Sequence, residues 1–400
     1  MGTLSVTREQ AIAYRLDAHH LARRQPADRL LEAAGACGIQ DSPPGAAALA
    51  LHARLEGLTP DAIRRAQAEE KSLLQTMSLR GAAYQFPTAD AAVFTTGALP
   101  ETEEELRFFV QGAAAGLEAV GMSFTELVAR CDDALREVLD RQQMTKDPLG
   151  RALGTHVAAA LPPDQADAWM QPSSIIKGQF LGETLARFAI YVLGLRGRFC
   201  FVPRSTEAAE FARAEQWLGH PLPRVGQDPA RAELARRYLR CYAPSTLEDF
   251  AAWAGISPAQ AARGWSRIEP ELLPVHFARR PAFLLAAELE RLRQPQPAEG
   301  VRLLPPHDPY LLLRDRATLL ADRARQRMVW RTVGNPGALL VNGDFQGIWR
   351  AQKRGKRLEM TLQPFAPLTP EVKQQIEAEA ESLLPFKGST SLAVSYAGLA

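Results

Sequence analysis

The sequence has no long hydrophobic run, and none of its apolar stretches approaches the roughly 20 residues that are needed to span a membrane. The N-terminal residues 1–8 lack the apolar core of a signal peptide, and Val6 stands where N-myristoylation requires Ser or Thr. We therefore expect no membrane association and a cytoplasmic location.

Cysteine is scarce, and the sequence lacks a zinc-type or disulfide-type spacing of its four cysteines, Cys37, Cys131, Cys200 and Cys241. We expect buried free thiols at these positions. The histidines, including His19-His20, also lack the spacing of metal ligands. A glycine-rich phosphate loop and a nucleophile elbow are missing as well. The sequence therefore predicts no cofactor and no metal.

Net charge is small. The 47 basic and 45 acidic residues give +2, so the whole chain does not have the charge of a typical nucleic-acid-binding protein. The hydrophobic fraction of 46% and the charged fraction of 23% are those of a folded protein. A length of 400 residues predicts two to four structural units.

Positive charge is concentrated locally. Between Leu313 and Arg357 there are 11 Arg and Lys residues and 3 acidic residues, a local net charge of +8. The Arg350–Arg357 run lies between two predicted strands, so it would project from a hairpin and contact DNA phosphates. The alternative is a solvated turn that protects an edge strand from aggregation. The candidate DNA-binding residues in this region are Arg323, Arg325, Arg350, Lys353, Arg354, Lys356 and Arg357.

Helix start signals are frequent. Thr7–Gln10 and Ser123–Glu126 both have the pattern of a capping box, and after Phe124 apolar residues recur at helical spacing. The predicted strands are short and follow helices: Leu73–Leu79, Phe199–Pro203, Leu273–Phe277, Leu339–Asn342 and Leu358–Pro364.

Two or three short helices followed by a strand pair recur over Ala46–Phe86, Phe124–Pro203 and Ala232–Phe283, which is the element order of a winged helix. We predict a mainly helical α+β fold of tandem winged-helix units and a C-terminal β-rich unit. The predicted domains are 1–100 with the first winged helix and the candidate site, 101–225 with the second, 226–291 with the third, and 300–400 with the β-rich unit and the basic hairpin.

The third predicted winged helix has the clearest signals. Ser245–Glu248 caps a helix that Gly255 ends, and Ser257-Pro258 begins the next helix. Ala251 precedes Gly255 by the spacing of a helix-turn-helix. Winged helices also bind proteins, so this pattern does not by itself establish DNA contact. After the linker Arg293–Gly300, turn residues and short apolar runs predict strands, followed by a helix near Thr369–Leu384.

Several segments together resemble the AlkZ-like (YcaQ-related) winged-helix DNA glycosylases. They are Cys37-Gly38-Ile39-Gln40 with 48–55, Leu79-Arg80-Gly81, 236–246 with 249–253, 303–309, Asn342-Gly343 and Gly347-Ile348-Trp349-Arg350. The resemblance implies tandem winged helices around a DNA-binding channel. It also implies hydrolytic removal of alkylated bases, including bulky N7-alkyl purines and cross-link adducts. The expected partner is double-stranded DNA, alkylated or cross-linked, bound by a monomer in the nucleoid.

Enzymes of this family are thought to place the attacking water with a motif of Gln, a hydrophobic residue, then Gln or Asp. The matching positions are Gln40, Asp41 and Ser42, which form the candidate catalytic site. Asp41 stands where a hydrophobic residue is expected, and Ser42 has a shorter reach than an amide. On a strand, the Asp41 side chain would point away from Gln40.

Purely structural roles are alternatives for these three residues. Ser42-Pro43 has the pattern of a helix N-cap before Gly45–Leu55, Asp41 could serve the same terminus through the helix dipole, and Gln40 could lie on an exposed loop. Arg80 would contact phosphate or brace the wing. Tyr84 stands where relatives often carry His, so we expect no acid–base role there.

Three functions follow from these observations. The first is a monofunctional, metal-free DNA glycosylase. The second is a regulatory or lesion-binding DNA-binding protein that has lost the catalytic motif. The third is a protein-interaction scaffold. The turn at His307-Asp308 is expected to be structural in all three.

Overall fold

The computed structural model describes residues 4–203 and 208–398 and has an α+β architecture that is about half helical. This confirms the predicted α+β class. The chain divides into two compact units. The first unit comprises Met1–Arg64, Ala235–Trp253 and Ile268–Ala400, and the second comprises Arg65–Leu234 and Ala254–Arg267. In the described part of the chain, no helix is long and apolar enough to cross a membrane.

The first unit contains short helices and several small sheets. Its helices are Arg8–Ala18, Leu30–Gly35, Ala46–Arg54, Leu289–Arg293, Arg316–Leu319, Arg323–Val329, Pro370–Ser382 and Leu384–Lys387. Its strands are Leu4–Val6, Gln25–Pro26, Ile39–Gln40, Leu55–Glu56, Leu272–Phe277, Arg280–Leu285, Val301–Leu304, Gly337–Val341, Asp344–Arg354, Arg357–Pro364 and Ser391–Tyr396. Three further helices contain the boundaries between the units: Pro60–Ala68, Gln227–Tyr242 and Leu247–Ala254.

The largest sheet of the first unit has five strands in chain order, from Val301–Leu304 to Ser391–Tyr396. Adjacent strands are antiparallel except for the last pair, which is parallel. Alternate residues of these strands, such as Leu339 and Met360, are buried with Ile376 of the helix Pro370–Ser382. The predicted C-terminal strands and the helix after them are therefore present, but the helix does not close the region, because the unpredicted strand Ser391–Tyr396 follows it and joins the sheet.

The second unit is mainly helical. Its helices are Ala91–Phe94, Glu103–Phe109, Ala114–Val120, Phe124–Val138, Lys146–Ala158, Pro163–Trp169, Leu181–Leu195, Ala214–Leu218 and Pro258–Ser266. Its strands are Leu73–Met77, Ala83–Pro87, Met144–Thr145, Phe199–Phe201 and Glu210–Arg213. The core lies among the three longest helices, where the apolar stripe of Phe124–Val138 is buried.

The predicted helix starts are confirmed at several positions. Thr7 Oγ1 accepts the N–H of Gln10 at 3.1 Å, and Gln10 Oε1 accepts the N–H of Thr7 at 3.0 Å, which completes the capping box. Ser123 Oγ accepts the N–H of Glu126 at 3.0 Å. Ser257 Oγ accepts the N–H of Gln260 at 3.1 Å. These caps depend on residues three positions apart, so a local pattern predicts them.

The helices Leu247–Ala254 and Pro258–Ser266 are separated by Gly255, whose φ is +72°. The antiparallel strands Leu272–Phe277 and Arg280–Leu285 follow them. The element order predicted for the third winged helix is therefore present along the chain.

One predicted strand is too long. The strand predicted at Leu73–Leu79 ends at Met77, because Leu79–Gly81 form a 3-10 turn in which Arg80 has φ +55°. Arg80 therefore lies in the turn and not at the end of a strand. The other four predicted strands are present with ends shifted by one or two residues: Phe199–Phe201, Leu272–Phe277, Gly337–Val341 and Arg357–Pro364.

Candidate functional site

Gln40 is the second residue of the short strand Ile39–Gln40 and is only 7% exposed. The alternative that it lies on an exposed loop is therefore wrong. Ile39 before it is buried, and Gly38 enters the strand with φ +69°. A buried amide is held in a restricted environment, which is a requirement for positioning a reactant.

Asp41 follows Gln40 and binds the start of the next helix. Its Oδ1 accepts the backbone N–H of Gly45 at 2.8 Å and that of Ala47 at 3.1 Å. The helix Ala46–Arg54 begins at this point, so the carboxylate satisfies otherwise unpaired N–H groups at its positive end. Asp41 therefore binds the helix terminus, as one interpretation of the sequence predicted, and it is next to Gln40 in the chain.

The predicted N-cap at Ser42 is wrong. The helix begins at Ala46, its N-cap is Gly45 with φ +84°, and no N-cap side chain contributes a hydrogen bond. Ser42 is exposed and lies before this terminus. The carboxylate of Asp41 already accepts the terminal N–H groups for which a serine hydroxyl would compete.

Two basic side chains, one near Asp41 and one in the last turn of the helix Ala46–Arg54, were not singled out from the sequence. Burial lowers the pKa of Lys387, and the nearby carboxylate of Asp41 acts in the opposite direction. Burial lowers the pKa of His52 to about 4. The ring of His52 contacts that of Phe386 edge to face, with centroids 5.0 Å apart. Because residues 386 and 387 are far from residue 41 in the chain, no local pattern could have placed them here.

The helix that Asp41 caps ends in a buried ion pair. Arg54 Nη1 and Nη2 donate to the two carboxylate oxygens of Asp308, each at 2.8 Å. Asp308 also accepts the N–H of Tyr310 at 2.9 Å. The structural role expected for the turn at residues 307 and 308 agrees with these contacts.

The basic run forms the predicted hairpin. The strands Asp344–Arg354 and Arg357–Pro364 pair with Arg354 opposite Arg357, so Gly355 and Lys356 form the turn. The basic side chains of this hairpin are exposed: Arg350, Lys353, Arg354, Lys356 and Arg357. Two of them also make contacts within the unit. Arg350 donates to the carbonyl of Gly334 at 3.0 Å, and Arg354 pairs with Glu359 at 3.0 Å.

The remaining predicted DNA-binding residues have different surroundings. Arg323 is exposed at the first position of the helix Arg323–Val329. Arg325 donates to the carbonyl of Phe365 at 3.0 Å and lies over its ring, 5.1 Å from the centroid. Arg80 donates to the hydroxyl of Tyr84, a contact that braces the turn between the two strands.

The class of protein predicted from the sequence, the DNA glycosylases, is also the class of the family model that the chain matches. Residues 31–386 match the family model described as DNA glycosylase AlkZ-like. The chain therefore belongs to this family.

Two further comparisons show one protein similar in sequence and one similar in fold. The chain is 26% identical over 210 residues to an interstrand DNA cross-link repair glycosylase of Streptomyces sahachiroi. The alignment covers 50% of this chain and 55% of that relative, so the chain spans about half the length of the curated relative it matches. It is also similar in fold to the Streptomyces sahachiroi DNA glycosylase AlkZ, with a TM-score of 0.74, 22% identity, and coverage of 98% of this chain and 100% of that chain.

Proposed function

We propose that this protein is a monofunctional DNA glycosylase that hydrolyses the N-glycosidic bond of alkylated or bulky-adduct purines in double-stranded DNA. The observation that carries the proposal is the burial of Gln40 at the motif position of a family whose model covers residues 31–386. The Streptomyces relative is named for interstrand DNA cross-link repair, which makes cross-linked DNA a substrate to test.

The chemistry of the substrate explains why an amide is sufficient. An N7-alkylated purine is positively charged, so it leaves with the bonding electron pair and becomes neutral without a general acid. Water attacks C1′ of the sugar, the C1′–N9 bond breaks, and the water proton passes to solvent. The amide oxygen of Gln40 accepts a hydrogen bond from this water and orients it toward the sugar.

Asp41 supplies negative charge next to Gln40, which stabilises a sugar with oxocarbenium character. Its carboxylate is fixed by the N–H groups of Gly45 and Ala47 and does not need to reorganise during the reaction. Ser42 is exposed and contributes a hydroxyl at the edge of the site. The attacking water is therefore held by one amide, that of Gln40.

Phosphate contacts complete the proposal. Arg325 and Arg80 would each contact a DNA phosphate. Their side chains are positioned by contacts with Phe365 and Tyr84, respectively. The same proposal includes the tandem winged-helix arrangement and the four predicted domains. It also includes action as a monomer and a location in the nucleoid. The exposed basic residues that would follow the DNA backbone are Arg323, Arg350, Lys353, Arg354, Lys356 and Arg357.

A single-turnover assay on a duplex with one N7-methylguanine tests the catalytic assignment. Abasic sites are revealed by alkaline strand cleavage. We expect Gln40→Ala to reduce base release by about 100-fold or more, a loss typical for removal of one positioned polar group. Gln374→Ala removes an exposed glutamine from the helix Pro370–Ser382 and serves as the matched control.

The outcomes distinguish the candidate functions. Equal rates for Gln40→Ala and the parent protein would show that Gln40 does not position the water. Salt-dependent DNA binding by the parent without base release would favour the second candidate, a non-catalytic lesion-binding protein. The exposed Ser42 in place of a second Gln or Asp is the observation that favours this alternative.

A further inference from the structure

Three potential metal ligands meet in the interior of the first unit. His19 follows the helix Arg8–Ala18, Cys37 precedes the strand Ile39–Gln40, and Cys241 lies in the helix Gln227–Tyr242. Each offers one donor atom, and the three atoms all lie within 4.8 Å of one another. The side chains are 1%, 3% and 1% exposed, so bulk water does not reach them.

Hydrogen bonds within the protein account for part of this cluster: the Cys241 thiol donates to the carbonyl of Ala36 at 3.5 Å, and the two cysteines hydrogen-bond to each other. His19 Nδ1 lies 3.9 Å from Cys37 Sγ, at the long end of contacts with sulfur. The other ring nitrogen, Nε2, is buried and has no hydrogen-bond partner within residues 4–203 and 208–398. The Tyr242 hydroxyl is 3.9 Å from Cys37 Sγ but donates at 2.7 Å to the carbonyl of Pro309. Buried polar groups are normally satisfied, and the Nε2 atom of His19 is an exception.

We propose that His19, Cys37 and Cys241 form a closed binding site for one thiophilic metal ion, Zn²⁺ or Cu⁺. Two sulfurs and an imidazole are the donor types that select these ions, and separations below 4.8 Å place all three around one centre. The two ions differ in what they require. Two thiolates neutralise Zn²⁺, which lowers the cost of burial, but Zn²⁺ requires a fourth ligand in addition to these three donors. A set of three protein donors suits Cu⁺.

A metal ion bound at this position would stabilise the segment that carries Gln40. Cys37 and Gln40 are separated only by Gly38 and Ile39, so the ion would fix the start of the segment that carries Gln40. It would connect this segment to the end of one helix through His19 and to a second helix through Cys241. Metal binding does not depend on the proposed glycosylase activity and is tested separately from it.

The test uses the full chain, reduced, freed of metal by a chelator and kept anaerobic. Co²⁺, as a probe for a Zn²⁺ site, is titrated first and then displaced by Zn²⁺. Cu⁺ is titrated separately against a competing chelator. We expect saturation at one equivalent, with thiolate-to-Co²⁺ charge-transfer absorption and release of protons from the thiols. Tight Cu⁺ binding without the Co²⁺ absorption assigns the site to Cu⁺.

Cys37→Ser and Cys241→Ser are expected to weaken binding at least 100-fold. Cys131→Ser and Cys200→Ser remove buried thiols of the second unit and are the matched controls, which should bind as the parent does. Since a buried substitution can prevent folding, alkylation of the unmodified chain provides a second measurement. The metal should slow alkylation of Cys37 and Cys241 more than tenfold and leave the other two cysteines unchanged.

Absence of one-equivalent binding of any of the three ions to the parent protein would overturn the proposal. Unchanged affinity in folded Cys37→Ser and Cys241→Ser would also overturn it. A disulfide between Cys37 and Cys241 that resists reduction in the metal-free chain would overturn the proposal as well.

Discussion

Arg54 and Asp308 form a two-point ion pair with both N–O distances at 2.8 Å, and their side chains are 2% and 0% exposed. The pair fixes the last residue of the helix Ala46–Arg54, whose first turn is bound by Asp41. Arg54 Nη1 also donates to the carbonyl of Ala50 at 2.7 Å. Both ends of this helix are therefore held by a carboxylate, one at the candidate site and one in the interior.

Removal of one partner from this pair should be strongly destabilising, because it leaves a buried charge without compensation. Asp308→Ala is expected to lower the free energy of unfolding by about 3–5 kcal/mol, measured by urea denaturation. The control is Glu290→Ala, which breaks the exposed ion pair with Arg293. This variant should change the free energy of unfolding by less than about 0.5 kcal/mol. Similar losses in the two variants would contradict the assigned importance of the buried pair.

Asp41 and Ser42 should differ in their contributions to stability. Asp41→Ala removes a charged acceptor from two backbone N–H groups and is expected to cost about 2 kcal/mol. Ser42→Ala changes an exposed side chain and should remain within about 0.5 kcal/mol of the parent. Thermal and urea unfolding check both values, and a larger loss for Ser42→Ala would restore the N-cap interpretation.

His52 should make stability depend on pH below neutrality. Burial lowers its pKa from 6.5 to about 4, so the unfolded chain takes up a proton at a higher pH than the folded protein. The contribution of neutral His52 is fully present above about pH 6.5 and is lost as the pH falls toward 4. At pH 4.5 the loss is about 2–3 kcal/mol.

Urea unfolding of His52→Phe and the parent between pH 7 and pH 4.5 measures this effect. The variant should gain stability relative to the parent as the pH falls, because Phe cannot be protonated. His220→Asn changes an exposed histidine and is the control. A constant difference between His52→Phe and the parent across this range would show that His52 is not held in its neutral form.

The basic hairpin should contribute to DNA affinity through phosphate contacts. The double variant Lys356→Gln, Arg357→Gln is expected to weaken duplex binding and to reduce the slope of log affinity against log salt by up to about 1.8, or about 0.9 for each phosphate contact. Fluorescence anisotropy over a range of salt concentrations measures both quantities. Lys177→Gln with Arg293→Gln, two exposed residues elsewhere, is the matched control. Unchanged affinity and slope would favour the alternative of a solvated turn.

Features controlled by neighbouring residues were determined by the sequence alone. The caps at Thr7, Ser123 and Ser257 could be predicted because their interactions lie within a few positions. Family membership was also predictable, since the matching segments are distributed along the chain and the family model covers residues 31–386.

The candidate site required the tertiary structure. A serine followed by proline satisfies the local rule for an N-cap, but the helix begins at Ala46 and Asp41 binds its N–H groups. The burial of Gln40 and the proximity of Lys387 to Asp41 depend on packing between segments that are distant in sequence. The same applies to His19, Cys37 and Cys241, whose spacing suggests no shared site. Local patterns determine where helices begin and turns form, whereas packing determines which distant side chains share an environment.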